Sequence, residues 1–140
     1  MGAQLDQRAF QSLVHLDTSL LVDALTGTRR SAASLRRAIE QGERLALSTL
    51  VLYEWFRGPR LEAELVAQQE LFPRQQAVAF GSEEAETAAH LYRIVPRARR
   101  REFDLAVAAC ALTHGAALWT MNTKDFRDIP DLELYTPARV

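Results

Sequence analysis

The sequence predicts a three-layer α/β/α sandwich with a central, mainly parallel sheet of about five strands. Short apolar segments alternate with longer ones in which apolar residues recur at helical spacing, an order typical of parallel sheets covered on both faces. The chain has 140 residues, of which 48% are hydrophobic, enough for one domain spanning residues 1–140 with its own core. Neither an internal repeat nor a low-complexity linker divides it.

Five segments have the length and composition of buried strands: Ser12–Leu16, Leu45–Leu47, Ala77–Phe80, Ala117–Thr120 and Leu132–Tyr135. Helices are predicted between them at Thr18–Leu25, Ala32–Gln41, Ser48–Arg57, Leu61–Leu71, Ser82–Pro96 and Glu102–His114. Three serines are expected to cap helices, namely Ser31, Ser48 and Ser82. Three glycines are expected to end them, namely Gly42, Gly58 and Gly115.

Composition excludes several classes of protein. Cys110 is the only cysteine, so we expect no intramolecular disulfide and no cysteine-based zinc site, and we predict a small core residue. No apolar run approaches the roughly 20 residues of a membrane span. Residues 1–8 lack the pattern of a secretory signal, so the expected location is the cytoplasm, away from any membrane.

The distribution of charge is more informative than its sum. The net charge is −1, and Lys124 is the only lysine among 17 basic residues, so arginine dominates. Arginine can bind phosphate through two parallel hydrogen bonds. A near-zero net charge with local clusters of both signs indicates a site that needs both, such as metal-binding acids beside a phosphate-binding strip.

Four acidic residues lie where a purely structural sequence would place something apolar. Asp17 and Asp125 follow predicted strands, whereas Glu54 and Asp104 lie in apolar helices. Each has an ordinary alternative, because Asp17 could cap a helix, Glu54 could face solvent, Asp104 could complement the helix dipole and Asp125 could belong to a turn. In open α/β sheets, however, ligands bind beyond the carboxyl ends of the strands, where these four side chains could meet.

Four carboxylates in one crevice would repel one another by roughly 3 kcal/mol per pair at a separation of about 5 Å. Such a cluster persists when cations occupy it, and an all-oxygen ligand set suits Mg²⁺ or Mn²⁺ rather than zinc. Divalent ions of this kind activate water and stabilise the leaving oxygen in phosphodiester cleavage. The residues therefore predict metal-dependent phosphodiester hydrolysis.

Four segments occur in a characteristic order: LDTSLL from Leu16, EWFRG from Glu54, DLAVAACA from Asp104 and WTMNTKDF from Trp119. Together they resemble the PIN-domain ribonucleases, above all the VapC-type toxins of toxin–antitoxin pairs. The likeness runs from about residue 14 to residue 134. It implies a PIN-like fold and a Mg²⁺-dependent endoribonuclease, with Mn²⁺ as an alternative cofactor.

The resemblance also implies a role for individual residues. Asp17 and Asp104 match the main metal ligands, while Glu54 matches the glutamate of an E-x-x-x-G motif and Asp125 matches the last acid. Hydroxyls that would hydrogen-bond the carboxylates or water correspond to Ser19 and Thr120. Asn122 occupies a position where some relatives carry another acid, so the fourth ligand could be shared or shifted.

Four arginines precede the helix that begins at Glu102, where the helix dipole disfavours positive charge. They are Arg97, Arg99, Arg100 and Arg101. We predict that they bind RNA phosphates, in which case affinity should fall steeply with salt. The alternatives are a solvated turn or a contact with an antitoxin.

The resemblance implies an RNA substrate, a VapB-type antitoxin that covers the acidic crevice, and a homodimer. Trp55 and Phe56 point about 100° apart on a helix, so one can pack inward while the other meets a partner. The alternative function is a non-catalytic PIN-like module that binds RNA or protein. Phosphotransfer folds fit poorly, because Ser19 replaces the second aspartate of haloacid-dehalogenase-type phosphatases and no aspartate follows Phe80 as in receiver domains.

The three histidines, His15, His90 and His114, are not needed as bases if a metal ion activates the water. His15 shares a strand face with Asp17 by two-residue spacing, but we expect it to be packed or to hydrogen-bond a ligand from behind. His114 is expected at a helix C-terminus, where a cation is favourable.

Overall fold

The computed structural model describes residues 13–139, and its sheet contains three parallel strands in this range. These are β1 (Leu13–Leu16), β2 (Arg44–Ala46) and β3 (Ala117–Trp119), in the spatial order β2-β1-β3. Central β1 pairs with both neighbours. Predicted strand residue Ser12 and the expectation about a signal in residues 1–8 lie outside the described residues.

Six α-helices flank this sheet in the described chain: α1 (Thr18–Leu25), α2 (Ala32–Glu40), α3 (Thr49–Arg57), α4 (Glu62–Leu71), α5 (Ser82–Ile94) and α6 (Glu102–Thr113). Three short 3₁₀ turns accompany them: Arg74–Gln76, Ala98–Arg100 and Thr123–Asp125. α1 packs against α2, α3 and α4, whereas α5 packs against α6, which also contacts β3. The predicted α/β fold with helices around a parallel sheet is confirmed.

The predicted number of five strands is wrong, because two of the segments make only single bridges. Residues 77–80 contribute one parallel bridge between Val78 and Ser48, and residues 132–135 contribute one between Leu134 and Leu118. The strand pairing does not continue beyond Val78, because the N–H of Phe80 donates to the Thr49 hydroxyl at 3.2 Å. The second segment is followed by a proline at position 137, which has no N–H to donate.

Helix capping follows the prediction at one serine and departs from it at two. The Ser48 hydroxyl accepts from the Val51 N–H at 3.3 Å, as expected for an N-cap. Ser31 caps no N–H within residues 13–139, since its hydroxyl donates to the carboxylate of Asp23. Ser82 is the first helical residue of α5, and Glu84 accepts from the preceding N–H, that of Gly81, at 3.0 Å.

The core centres on α3 and α6. Trp55 is fully buried in α3, and six of the twelve residues of α6 are buried. Cys110 is buried there, and burial raises the pKa of its thiol to about 11, which suits an inert core residue. In residues 13–139, no helix has the length and apolar character needed to cross a membrane.

His15 in β1 is buried without a hydrogen bond. Its ring is 2% exposed, neither nitrogen has a partner among the described residues, and it lies 5.4 Å from the ring of His114. Burial, reinforced by His114, lowers the pKa of His15 from 6.5 to about 4. The neutral ring therefore fits the fold and the charged ring does not.

The contribution of His15 to stability should consequently fall as the pH drops from about 6.5 to about 4, since only the unfolded chain takes up this proton. The loss at the lower end is up to about 3 kcal/mol. In urea unfolding curves, the stability of His15→Leu relative to the wild type should rise as the pH drops through this range, because the contributions of all other titrating groups cancel in the difference. Exposed His90→Gln is the control, and an unchanged pH dependence in His15→Leu would contradict the assignment.

Candidate active site at the carboxyl edge of the sheet

An open cleft of about 360 Å³ lies at the carboxyl ends of β1 and β3. Nine residues line it: Asp17, Thr18, Ser19, Val22, Asp23, Glu54, Asp104, Met121 and Asn122. Three of the four predicted acids are among them. The fold thus brings together side chains that are far apart in the chain.

Asp17 is held at the end of β1 by its neighbours. Its N–H donates to the Trp119 carbonyl of β3 at 2.9 Å, and the residue is 6% exposed. The carboxylate Oδ2 accepts from the hydroxyls of Ser19 at 2.8 Å and Thr120 at 2.7 Å. Although Asp17 stands at the N-cap position of α1, its side chain makes no capping bond within the described chain, so the capping alternative fails.

The two hydroxyls are themselves fixed by the loop after β3. Ser19 Oγ accepts from the Met121 N–H at 2.9 Å, and Thr120 Oγ1 accepts from the Asn122 N–H at 3.0 Å. Ser19 and Thr120 therefore orient the Asp17 carboxylate, as the resemblance implied. Asn122 takes part through its backbone, and the residue also lines the cleft.

Glu54 reaches the cleft from α3. Its Oε1 accepts from the Thr18 hydroxyl at 2.7 Å, and its Oε2 lies 3.5 Å from Nη2 of Arg57, one helical turn away. The Glu54 side chain is 26% exposed. It is therefore oriented by α1 and keeps access to the cleft, which disfavours the reading of a merely solvated side chain.

Asp104 lies in the first turn of α6, where burial and neighbouring charges affect the pKa of its carboxyl group. Burial raises the pKa of Asp104 to about 6, and the negative charges of Asp17, Asp125 and Glu54 raise it further. The guanidinium of Arg101 acts in the opposite direction. The other three predicted acids thus each make it harder for Asp104 to carry its charge.

Asp125 lies in the 3₁₀ turn after β3, exposed and outside the cleft lining. Its backbone carbonyl accepts from Nη2 of Arg101 at 2.9 Å. Asp125 does not line the cleft, but its negative charge raises the pKa of Asp104.

Arg101 is engaged in the fold, contrary to the expectation of a free phosphate-binding side chain. Its guanidinium forms a two-point ion pair with Asp128, at 2.9 and 2.6 Å, and also donates to the carbonyls of Pro96 and Asp125. The side chain is only 16% exposed. Arg101 therefore anchors the Asp125 turn to the start of α6, while Arg97, Arg99 and Arg100 are exposed.

The donor set fits a hard divalent cation. Carboxylate and hydroxyl oxygens surround the cleft, and mutual repulsion among the acids, seen in the raised pKa of Asp104, favours bound positive charge. Within residues 13–139, no three His, Cys, Asp or Glu side chains already form a closed metal-binding cluster. Asp17, Glu54 and Asp104 line the same cleft, but their side chains do not converge on a single point.

Two further polar residues of the cleft were not predicted. Thr18 orients Glu54, and Asp23 lines the cleft while accepting from Ser31 and lying 3.3 Å from Nη2 of Arg30. The signal for Asp23 was present, since Ser19, Val22 and Asp23 have the i, i+3, i+4 spacing of one helix face.

The histidines stay outside the cleft lining, as expected. His15 packs on His114, whose ring nitrogen Nδ1 lies 2.6 Å from the Cys110 carbonyl at the C-terminus of α6, and His90 is exposed on α5. The expected split between the adjacent aromatics of α3 is confirmed. Trp55 is fully buried, whereas Phe56 is 48% exposed.

Comparison with known proteins is consistent with this geometry. The family profile described as PIN domain matches residues 14–132. Ribonuclease VapC19 of Mycobacterium tuberculosis (strain H37Rv) is 32% identical over 120 residues, which cover 84% of this chain and 95% of the relative. Ribonuclease VapC1 of Rickettsia felis is 41% identical over 59 residues, covering 41% of this chain and 44% of the relative.

Solved structures share the fold. A DNA-bound VapBC complex from Salmonella typhimurium gives a TM-score of 0.70 at 19% identity, covering 89% of this chain and 97% of the other. A toxin–antitoxin complex from Klebsiella pneumoniae gives 0.67 at 25% identity, covering 91% and 99%. The chain belongs to the PIN domain family. Within that family it is of the VapC type, since a VapC relative matches most of both chains.

Proposed function

We propose that the protein is a Mg²⁺-dependent endoribonuclease that acts as the toxin of a VapBC-type toxin–antitoxin pair, with Mn²⁺ as an alternative metal. The observation that carries the proposal is the convergence of Asp17, Glu54 and Asp104, from three different elements of the fold, on one cleft. The ribonuclease names of the VapC relatives support the same chemistry.

In this proposal Asp17 and Asp104 are the main metal ligands, with Glu54 and Asp125 completing the set. A divalent ion bound there would supply an activated water and neutralise charge on the scissile phosphate. The chain's own part is to hold the oxygens in place. Ser19 and Thr120 orient Asp17, as their hydrogen bonds of 2.8 and 2.7 Å indicate.

The net reaction adds water across a phosphodiester. A bond forms between the water oxygen and phosphorus, the phosphorus–oxygen bond to the leaving group breaks, and the departing oxygen takes up a proton. The cleft is open, so an RNA strand can lie along it without a change in the fold. We place the reaction in the cytoplasm, where RNA is available.

A cleavage assay tests the function. Purified protein should cut structured RNA, such as total transfer RNA, in the presence of Mg²⁺ or Mn²⁺. An excess of chelator should abolish the products and added metal should restore them. RNA binding without cleavage at any metal concentration would instead support the alternative, a non-catalytic binding module.

The exposed arginines at residues 97, 99 and 100 are proposed to bind RNA phosphates. We expect the double variant Arg99→Gln/Arg100→Gln to weaken RNA binding, because two cations near the start of α6 are lost. The slope of log affinity against log salt should fall by about 0.7 for each phosphate contact removed from single-stranded RNA. Fluorescence anisotropy at several salt concentrations measures this.

Arg74→Gln serves as the control, because Arg74 is exposed in a 3₁₀ turn outside the cleft. An unaltered salt slope in the double variant would reject the RNA contact. It would leave the alternatives of a solvated turn or an antitoxin contact.

A VapB-type antitoxin is proposed as the protein partner, and a homodimer as the assembly. An apolar groove of about 350 Å³ between α1, α2 and α4, with Ile39 and Leu71 exposed at 43% and 42%, offers a surface for a partner helix. Exposed Phe56 supports contact with a second copy. Light scattering of the free protein tests the dimer, and co-expression with the neighbouring short reading frame tests the antitoxin.

A further inference from the structure

Two aromatic residues are the sequence neighbours of acids that line the cleft. Tyr53 immediately precedes Glu54 in α3, and Phe103 immediately precedes Asp104 in α6. Their ring centroids lie 6.5 Å apart at an angle of 44°. The contact between α3 and α6 that sets the two acids on one cleft also sets these two rings together.

The packing of the core does not require Tyr53. Trp55 already fills the buried position of α3, and Tyr53 is 56% exposed. The guanidinium of Arg57 lies 5.2 Å from the centre of the Tyr53 ring and 3.5 Å from Oε2 of Glu54. An exposed ring, a second ring 6.5 Å from it and a cation that also contacts Glu54 of the cleft therefore lie together.

This combination matches the chemistry of a nucleotide. Aromatic faces stack on unpaired bases, and arginine contributes both to such stacking and to phosphate binding. Arg99 and Arg100, shortly before Phe103, add exposed positive charge in the 3₁₀ turn that precedes α6. A polyanion with free aromatic bases is complementary to these groups, whereas a duplex keeps its bases stacked on one another.

We propose that Tyr53, Phe103 and Arg57 form a base-stacking subsite that holds one unpaired nucleotide of a single-stranded RNA beside the acidic cleft. The proposal rests on the proposed function and deepens it, because it predicts a preference for unpaired nucleotides and assigns that preference to named residues. Tyr53 supplies the exposed ring face, Phe103 supports it, and Arg57 contacts the adjoining phosphate.

The first test is binding, which does not depend on cleavage. A single-stranded RNA carrying 2-aminopurine is titrated with protein in the presence of chelator, so that stacking quenches the fluorescence. Tyr53→Ala should abolish most of the quenching and weaken binding on the order of 10-fold or more, as expected for the loss of one base–aromatic stack. Tyr53→Phe should retain both, and Tyr92→Ala is the matched control, because Tyr92 is exposed on α5.

The second test uses cleavage of a short single-stranded RNA in which each nucleotide in turn is made abasic. For the wild-type protein, one particular abasic position should raise the KM to the value that Tyr53→Ala shows on the intact RNA. The same abasic position should not raise the KM of Tyr53→Ala any further. If every abasic position raised the KM of Tyr53→Ala as much as that of the wild type, the subsite would be overturned. A Tyr53→Ala protein that binds RNA normally but has lost its dimer would also overturn it, because the ring would then serve a contact between copies.

The two tests separate the subsite from the activity. If the wild-type protein cuts no RNA but its quenching depends on Tyr53, the subsite stands and the nuclease proposal fails. If it cuts RNA in a metal-dependent manner and Tyr53→Ala behaves like Tyr92→Ala in both assays, the nuclease proposal stands and the subsite fails.

Discussion

Asp104→Asn should lower the rate of RNA cleavage by about 10³-fold or more, equivalent to about 4 kcal/mol of transition-state stabilisation, and should also stabilise the fold. The loss of activity follows from removing one of the two main metal ligands. The gain in stability follows from the raised pKa of Asp104, since an amide has no charge that burial would desolvate or that the acidic neighbours would repel.

The sign of the stability effect can be derived from the pKa. The folded state raises the pKa of Asp104 from 3.8 to about 6, so its ionisation opposes folding as the pH rises through this range, and the full loss is present at pH 7. Because the carboxylate is partly exposed, we expect the asparagine variant to gain about 1–2 kcal/mol at pH 7. This gain should disappear towards pH 4. His15 is present in both proteins, so its contribution cancels when the stability of the wild type is subtracted from that of Asp104→Asn.

Asp131→Asn is the matched control, since Asp131 is exposed and has a φ of 65°, which asparagine tolerates. It should change neither cleavage nor stability. Cleavage by Asp104→Asn at the wild-type rate would refute its role as a ligand. A marked loss of stability at pH 7 would refute the proposed repulsion within the cleft.

Trp55→Ala should destabilise the fold by about 3–5 kcal/mol, a large share of the stability of a typical domain. The indole is fully buried in α3, and the guanidinium of Arg60 lies 4.3 Å from its ring. Trp55→Phe should cost much less, because it keeps most of the apolar contact and removes an indole N–H that has no partner within residues 13–139.

Urea unfolding followed by the fluorescence of the remaining Trp119 measures both variants. Since α3 carries Glu54 and Tyr53, Trp55→Ala should lose activity in parallel with its folded fraction. A loss of stability below about 1 kcal/mol would show that α3 does not depend on this anchor.

Much of the fold could be predicted because local signals and global packing agree. Ser48 caps α3, and Gly42 and Gly115, both with positive φ, end α2 and α6 near the expected points. Residues 77–80 and 132–135 were predicted to be strands, but each forms only a single bridge. The bridging residues, Val78 and Leu134, are only partly buried, so apolar composition alone did not distinguish a bridge from a ladder.

The site was predictable to the extent that topology determines it. Asp17 had to lie at the carboxyl end of a central strand, and Thr120 had to lie beside it once β1 and β3 paired. The pairing of Arg101 with Asp128 could not be predicted, because the two residues are 27 positions apart and no periodicity connects them. The hydrogen bond from Thr18 to Glu54 likewise depends on how α1 and α3 pack.

The central claim is that the acids at positions 17, 54, 104 and 125 hold a divalent ion. An anomalous difference map from crystals grown with Mn²⁺ tests it most directly. We predict a strong peak in the cleft within coordination distance of Asp17 and Asp104, absent from Asp104→Asn crystals. A protein that cleaves RNA in Mn²⁺ but has no peak in this cleft, or binds Mn²⁺ elsewhere, would contradict the account.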